Sequence, residues 1–246
     1  MSASEGTISR AEAALGAGRR PAAAVFDSDG VLLDTEPAWV AARRLLFARH
    51  GEAFGPVEEG STRGTGIAGT ADLLSKLLGM PEAAGRLAEE LLVLLSVEID
   101  EQGVRPLPGA GALLDRVRGR LPLAVASNSP HALLEQALYR AGLARTFDFV
   151  LGADDVSRAK PAPDVYLRAV ELLDVEAQAT VAFEDSAPGV ASARAAGLHV
   201  VAVGTEDGGR LGAHEGVASL EDPLVVKRLR LDEARAGPVY DADIYA

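Results

Sequence analysis

Short apolar runs alternate with helix-like segments over the second half of this 246-residue chain. Four such runs predict strands, at residues 121–126, 149–151, 180–183 and 199–203. Apolar residues in the intervening segments recur at helical spacing. Strands that alternate with helices form a parallel sheet covered on both faces, so we expect an α/β fold.

A further apolar run ends abruptly in acidic residues. Residues 22–26 (AAAVF) are followed by Asp27, Asp29 and Gly30, which predicts a buried strand with carboxylates at its carboxyl end. Gly30 allows a sharp turn there because it has no Cβ. Two carboxylates two positions apart repel each other, and a hard cation such as Mg²⁺ would relieve that repulsion. One carboxylate then serves as nucleophile and the other as proton shuttle.

The segment after these acids has a different pattern of apolar residues. Its apolar residues predict helices and no strand, with a glycine-rich loop at 52–69 and a helix start at Thr70. Pro106 and Pro108 mark the return to the alternating pattern. We therefore divide the chain into a core at 21–36 and 106–232, an inserted helical segment at 37–105, and tails at 1–20 and 233–246.

Polar residues follow the other predicted strands as well. Ser127 and Asn128 come after one strand, and a hydroxyl and an amide before a helix form a cradle for phosphate. Lys160 precedes a Pro-x-Pro sequence, which keeps it out of a helix and presents its ammonium group from a loop. Glu184 and Asp185 follow a third strand and offer further oxygen ligands for a metal ion.

The order of these motifs resembles that of the haloacid dehalogenase-like (HAD) hydrolases. The family's phosphatases carry Asp-x-Asp-Gly-x-x-x-Asp-Thr as their first motif, which is matched here by Asp27, Asp29, Gly30, Asp34 and Thr35. The resemblance spans roughly residues 22–204 and is greatest to the β-phosphoglucomutase and sugar-phosphate phosphatase subgroup. It implies a Rossmann-like parallel sheet core with an inserted all-helical cap domain.

The resemblance also implies roles for particular residues in hydrolysis of a small phosphate monoester, with a sugar or polyol as leaving group. Asp27 would form an aspartyl-phosphate, and Asp29 would act as acid and base. Ser127, Asn128 and Lys160 would bind the phosphoryl group, and Arg63 of the cap would contact the substrate. The Mg²⁺ ligands would be Asp27, Asp29 through its backbone carbonyl, Asp185 and Glu184.

Two other activities are weighed against the phosphatase. A sugar phosphomutase of the β-phosphoglucomutase type shares the motifs, but that group has a histidine where this chain has Trp39. A two-component receiver domain also combines an aspartate, an acidic pair and a lysine. Its acidic pair precedes the acceptor strand and it has no helical cap, so the motif order here favours the hydrolase.

Charge and composition restrict the partners. The net charge of −12 argues against binding to nucleic acid or to an anionic membrane. The chain has no cysteine, which fits a reducing compartment, and its polar N-terminus has no apolar signal segment. We expect a cytoplasmic monomer that acts on a small phosphorylated metabolite.

Overall fold

The computed structural model describes residues 20–62 and 66–232. Arg63 and the two predicted tails, apart from Arg20, lie outside the described residues. Within that part of the chain, eight strands are found at β1 (Ala23–Phe26), β2 (Leu33–Asp34), β3 (Arg105–Pro106), β4 (Leu123–Ala126), β5 (Phe149–Leu151), β6 (Thr180–Glu184), β7 (His199–Val203) and β8 (Glu215–Val217).

Six of these strands form a single parallel sheet in the order β5-β4-β1-β6-β7-β8. β1 lies in the middle, paired with β4 on one side and β6 on the other. The predicted α/β fold is confirmed. The carboxyl ends of parallel strands meet at one edge of the sheet, so the residues that follow β1, β4 and β6 are brought together.

Helices occupy the intervals between the strands. Those in the described residues are α1 (Glu36–Arg49), α2 (Pro56–Thr62), α3 (Gly66–Leu77), α4 (Ala84–Gln102), α5 (Ala110–Val117), α6 (His131–Arg140), α7 (Asp164–Leu172), α8 (Ala187–Ala195) and α9 (Pro223–Arg228). The first four follow one another without a strand of the main sheet between them, and α4 packs against both α1 and α3.

The predicted loop at 52–69 is wrong, because α2 lies within it and α3 begins in it. The Glu58 carboxylate accepts a hydrogen bond from the Gly55 N–H at 2.9 Å, which satisfies a backbone donor at the start of α2. Thr70 does not cap a helix: it lies inside α3, where its hydroxyl donates to the Gly66 carbonyl at 3.0 Å.

The side chains of β1 point alternately to the two faces of the sheet. Ala24 and Phe26 belong to a hydrophobic core that includes side chains of α5, α6 and α9 and continues into the inserted helices. Ala23 and Val25 pack on the opposite face, with side chains of α7 and α8. Burial on both faces explains why β1 is a continuous apolar run.

A two-stranded antiparallel ribbon joins the inserted helices to the rest of the molecule. Leu33 of β2 pairs with Pro106 of β3, and Asp34 pairs with Arg105. The chain thus enters and leaves the helical segment at adjacent positions. This ribbon was not predicted, because two residues per strand are too few to show a periodic pattern.

Candidate active site

Three strand ends meet around Asp27. The Asp27 N–H donates to the Phe183 carbonyl at 2.9 Å, which extends the pairing of β1 and β6 beyond the end of β1. Ser127 follows β4 on one side, and Asp185 follows β6 on the other. Asp27 is buried, so its carboxylate is presented in an environment with little water.

Lys160 connects two of these acids. Its Nζ donates to Asp27 Oδ1 at 2.6 Å, to Glu184 Oε1 at 2.5 Å and to the Ala126 carbonyl at 2.8 Å. Burial lowers the pKa of Lys160, but the charges of Asp27 and Glu184 outweigh this effect and raise the pKa above its ordinary value. The lysine therefore remains protonated as a fixed positive charge beside Asp27.

Glu184 is fully buried, and both of its carboxylate oxygens accept hydrogen bonds. Oε1 accepts from Lys160 and from the Tyr166 hydroxyl, the latter at 2.7 Å. Oε2 accepts from the Asp185 N–H at 3.2 Å, and from the N–H and the hydroxyl of Ser186 at 3.4 and 3.2 Å. These contacts fix the orientation of Glu184, and through it the position of Lys160.

Two hydroxyl groups hold Asp29. Thr35 donates to Oδ1 at 2.5 Å, and Ser129 donates to Oδ2 at 3.0 Å. Because Thr35 immediately precedes α1 and Ser129 follows β4, the carboxylate is positioned by two separate parts of the chain. A carboxyl group held in this way beside Asp27 is suited to proton transfer.

Ser127 and Asn128 contribute in different ways. The Ser127 hydroxyl accepts from the Ser28 hydroxyl at 2.9 Å and from the Ser129 N–H at 3.1 Å, so its own proton can be donated to a ligand. The Asn128 amide bonds to the backbone of Lys160, as acceptor at 2.9 Å and as donor at 3.2 Å. Asn128 thus fixes the loop that carries the lysine.

The acids also form a candidate metal site. Asp27, Glu184 and Asp185 each offer an oxygen within 4.8 Å of the others. Burial raises the pKa of Asp27 well above its ordinary range, and the charges of Glu184, Asp185 and Asp29 add to the effect while Lys160 opposes it. Burial, followed by Glu184, raises the pKa of Asp185 to about 7. Such crowding of carboxylates fits a divalent cation.

A cavity of about 610 Å³ opens above this site. Asp27, Asp29, Ser127, Lys160 and Asp185 are among the residues that line it. Two residues of α1, Trp39 and Arg43, line it as well. The inserted helices therefore contribute to the wall that faces the acids.

The model of the haloacid dehalogenase-like hydrolase family matches residues 21–197, well over half of the chain. This chain belongs to that family. The resemblance inferred from the motifs is therefore confirmed, as is the prediction of a HAD-family phosphoric monoester hydrolase.

Named relatives of this HAD hydrolase include phosphatases. A phosphorylated carbohydrates phosphatase of Thermotoga maritima is 32% identical over an alignment of 191 residues that covers 72% of this chain and 82% of the relative. A fructose-1-phosphate phosphatase of Escherichia coli is 35% identical over an alignment of 190 residues that covers 75% of this chain and 97% of the relative. Among solved structures, a β-phosphoglucomutase of Clostridium difficile has a TM-score of 0.73 at 25% identity, covering 85% of this chain and 97% of the mutase.

The structure of the HAD hydrolase brings together every predicted site residue that it describes; Arg63 lies outside the described residues. Sequence reasoning did not assign roles to Ser28, Ser129, Tyr166 and Arg43. Ser28 and Ser129 lie next to motif residues in the sequence, and this adjacency could have identified them. Tyr166 and Arg43 lie on helices, and only the packing of those helices reveals their neighbours.

No helix in the described part of the chain is long and apolar enough to cross a membrane.

Proposed function

We propose that this HAD hydrolase is a Mg²⁺-dependent phosphatase that cleaves a small sugar or polyol phosphate through an aspartyl-phosphate intermediate. The observation that carries the proposal is the pair of oriented carboxyl groups: Asp27 is held by Lys160 at 2.6 Å, and Asp29 is held by two hydroxyls. The two relatives from Thermotoga maritima and Escherichia coli are named as phosphatases, which supports the same reaction.

The proposed reaction has two displacements at phosphorus. An Asp27 carboxylate oxygen forms a bond to phosphorus while the bond to the ester oxygen breaks, and Asp29 in its acid form gives its proton to the departing alkoxide. Asp29 then removes a proton from water, whose oxygen attacks phosphorus and breaks the bond to Asp27. Ser127 and Lys160 bind the phosphoryl oxygens, and Asn128 holds Lys160 in place.

The donor set fits Mg²⁺, with Asp27, Asp185, the Asp29 carbonyl and Glu184 as the residues that would hold it. The ion supplies positive charge that offsets the repulsion between the phosphate and the acids.

Removal of Mg²⁺ with EDTA should abolish phosphate release, and added Mg²⁺ should restore it. Mg²⁺ should also raise the thermal midpoint of the native chain but not that of Asp185→Asn, because binding to the folded state stabilises it. Full activity in EDTA would contradict the assignment.

The nucleophile is tested by Asp27→Asn, with the exposed Asp115→Asn as a control. Loss of the attacking oxygen should reduce turnover at least about 1,000-fold, equivalent to about 4 kcal/mol in the barrier. Acid quenching of the native enzyme during turnover with ³²P-labelled substrate should leave label on the chain, and Asp27→Asn should carry none. Substantial turnover by Asp27→Asn would refute the proposed nucleophile.

A phosphomutase is the second candidate, because the fold matches a solved β-phosphoglucomutase. The indole of Trp39 offers a single donor and cannot relay a proton as a histidine can, so water is the expected phosphoryl acceptor. A ³¹P NMR time course with β-glucose 1-phosphate, a trace of glucose 1,6-bisphosphate and Mg²⁺ distinguishes the two activities. Growth of inorganic phosphate supports the phosphatase, and conversion to glucose 6-phosphate without phosphate release supports the mutase.

Three further proposals accompany this function. Residues 37–105 form the cap and the flanking segments 21–36 and 106–232 form the core. The chain acts as a monomer on a small phosphorylated metabolite, without nucleic acid or membrane as a partner. Its location is the cytoplasm, on the basis of its cysteine-free composition.

A further inference from the structure

Arg43 is a buried cation in the wall of the active-site cavity. Its side chain is only 4% exposed, although it lies on α1 in the inserted helical segment. Arginine is seldom buried without a specific partner or function. Its position in the cavity wall suggests a role in binding the substrate.

The orientation of Arg43 is fixed by its neighbours. The guanidinium carbon lies 4.7 Å from the centre of the Trp39 ring, one helical turn earlier, and Nη2 donates to the Thr62 carbonyl at 3.3 Å. Stacking engages the flat face of a guanidinium, whereas its N–H groups point outward in the plane and match the oxygens of a carboxylate or phosphate. Glu36, 3.9 Å away, is more than half exposed, so water screens this ion pair.

Helix geometry relates Arg43 to the acid–base residue. Thr35, which binds Asp29, immediately precedes α1, and Arg43 is eight residues farther along the chain. Eight residues correspond to about 12 Å of rise along the helix axis, so Arg43 lies roughly two helical turns beyond the contact between Thr35 and Asp29. A leaving group whose ester oxygen contacts Asp29 must be several carbons long to reach Arg43.

We propose that Arg43, stacked on Trp39, selects phosphate esters whose leaving group is a chain of several carbons ending in a second anionic group, a carboxylate or a phosphate. This inference rests on the proposed function for the identity of the scissile ester. Of the described residues that line the cavity, five are acidic (Asp27, Asp29, Asp34, Glu36 and Asp185) and two are basic (Arg43 and Lys160). Arg43 lies on α1, in the part of the cavity wall that the inserted helices contribute, so the second anion would bind there.

The test is a binding measurement that needs no turnover. Isothermal titration of the Asp27→Asn chain, with Mg²⁺ present, compares 6-phosphogluconate with sorbitol 6-phosphate, which differ only in a terminal carboxylate or hydroxymethyl group. Fructose 1,6-bisphosphate and fructose 1-phosphate provide the same comparison for a terminal phosphate. In at least one pair, we expect the ligand with the second anionic group to bind at least 10-fold more tightly than the other ligand of that pair.

Adding Arg43→Gln to this background should reduce that preference to less than 3-fold, whereas Arg43→Lys should retain part of it. The neighbouring Arg44→Gln is the matched control, because Arg44 is exposed and should leave the preference unchanged. Equal affinity within both pairs for the chain with native Arg43, or a preference that survives in a folded Arg43→Gln chain, would overturn the proposal. If Arg43→Gln does not fold, the proposal is still tested by the comparison within the two ligand pairs on the Asp27→Asn chain and by the Arg43→Lys variant.

The same measurements separate this inference from the proposed phosphatase. A native chain that hydrolyses no phosphate ester but shows the Arg43-dependent binding preference would refute the phosphatase alone. A chain that hydrolyses sugar phosphates with no preference for doubly anionic ones would refute the role of Arg43 alone.

Discussion

Each carboxylate of the site has its own set of partners, and these partners separate the proposed roles. Asp27 is bonded to the ammonium group of Lys160, which opposes the rise in its pKa caused by burial and so favours the ionised form that a nucleophile needs. Asp29 is bonded to two neutral hydroxyls, which orient it without adding a counter-charge. Glu184 is bonded to five donors, one of them Lys160, and these fix its orientation at the candidate metal site. The difference between neighbouring acids lies in what each one touches.

Removing one of the two hydroxyl groups that hold Asp29 should impair proton transfer by its carboxyl group. We expect Thr35→Val to slow formation of the aspartyl-phosphate, measured in a single turnover, about 10- to 100-fold for a sugar phosphate, whose alkoxide must be protonated as it leaves, within the range that acid–base groups contribute. With p-nitrophenyl phosphate, whose leaving group needs no proton, the same step, measured as the burst of p-nitrophenolate, should slow less than about 3-fold. Thr180→Val, which removes a buried hydroxyl bonded to Glu176 instead, is the control. Equal losses on both substrates would contradict a role through Asp29.

At the scale of elements, the turn between β1 and β2 determines how closely the first motif approaches β6. Gly30 has a φ of 81°, in the left-handed region that favours glycine. A Cβ at this position would lie 2.0 Å from Asp185 Oδ2, so the absence of a side chain lets Asp185 approach the turn. The glycine therefore serves the acid cluster as well as the turn.

Gly30→Ala should consequently disrupt the metal site more than the fold. We expect phosphate release to fall at least about 100-fold, the scale of losses from misplaced catalytic groups, and Mg²⁺ to lose its effect on the thermal midpoint. Gly51→Ala is a matched control, because Gly51 has a φ of 78° but no atom within 4 Å of the added Cβ. Both variants incur a backbone cost of about 1–2 kcal/mol, and only Gly30→Ala displaces Asp185. Similar activity in the two variants would refute this interpretation.

At the scale of the whole molecule, the strand next to one edge of the sheet carries a titratable group unrelated to the proposed chemistry. His199 at the start of β7 is buried, bonds to Glu215 at 3.0 Å and stacks on His214. Burial, together with the charge of Arg228, lowers the pKa of His199 to about 4. Between this value and about 6.5, its value in an unfolded chain, the unfolded state binds more protons than the folded state.

The free energy of unfolding should therefore fall as the pH decreases from about 6.5 toward 4, because this stability is complete only above the unfolded pKa. The contribution of His199 is at most about 3 kcal/mol. Urea unfolding at several pH values should show a flatter profile for His199→Gln than for the native chain. The pH profile of His131→Gln should differ from that of the native chain in the opposite sense, since a hydrogen bond to Asp155 raises the pKa of His131. Parallel profiles for native and His199→Gln chains would contradict the assignment.

The segments with a strong local signal could be predicted from the sequence. The residue ranges of β5 and β7 were predicted without error, because buried parallel strands are continuous apolar runs. The residues Asp27, Ser127 and Asp185 were each predicted to follow a strand, and they share one sheet edge because parallel strands end on the same side. The helix α2 was missed, since serine, threonine and glycine suggest a loop until a capping contact such as that of Glu58 is known.

The sequence by itself determined the sheet, the order of the motifs and the acids at the strand ends, since these depend on periodicity and on residues adjacent along the chain. Only the tertiary structure decided that Ser129 holds Asp29, that Tyr166 holds Glu184 and that Arg43 enters the cavity wall. In the first two pairs, the partners are 100 and 18 residues apart. Contacts between elements depend on how helices pack on the sheet, and no local pattern of residues encodes that packing.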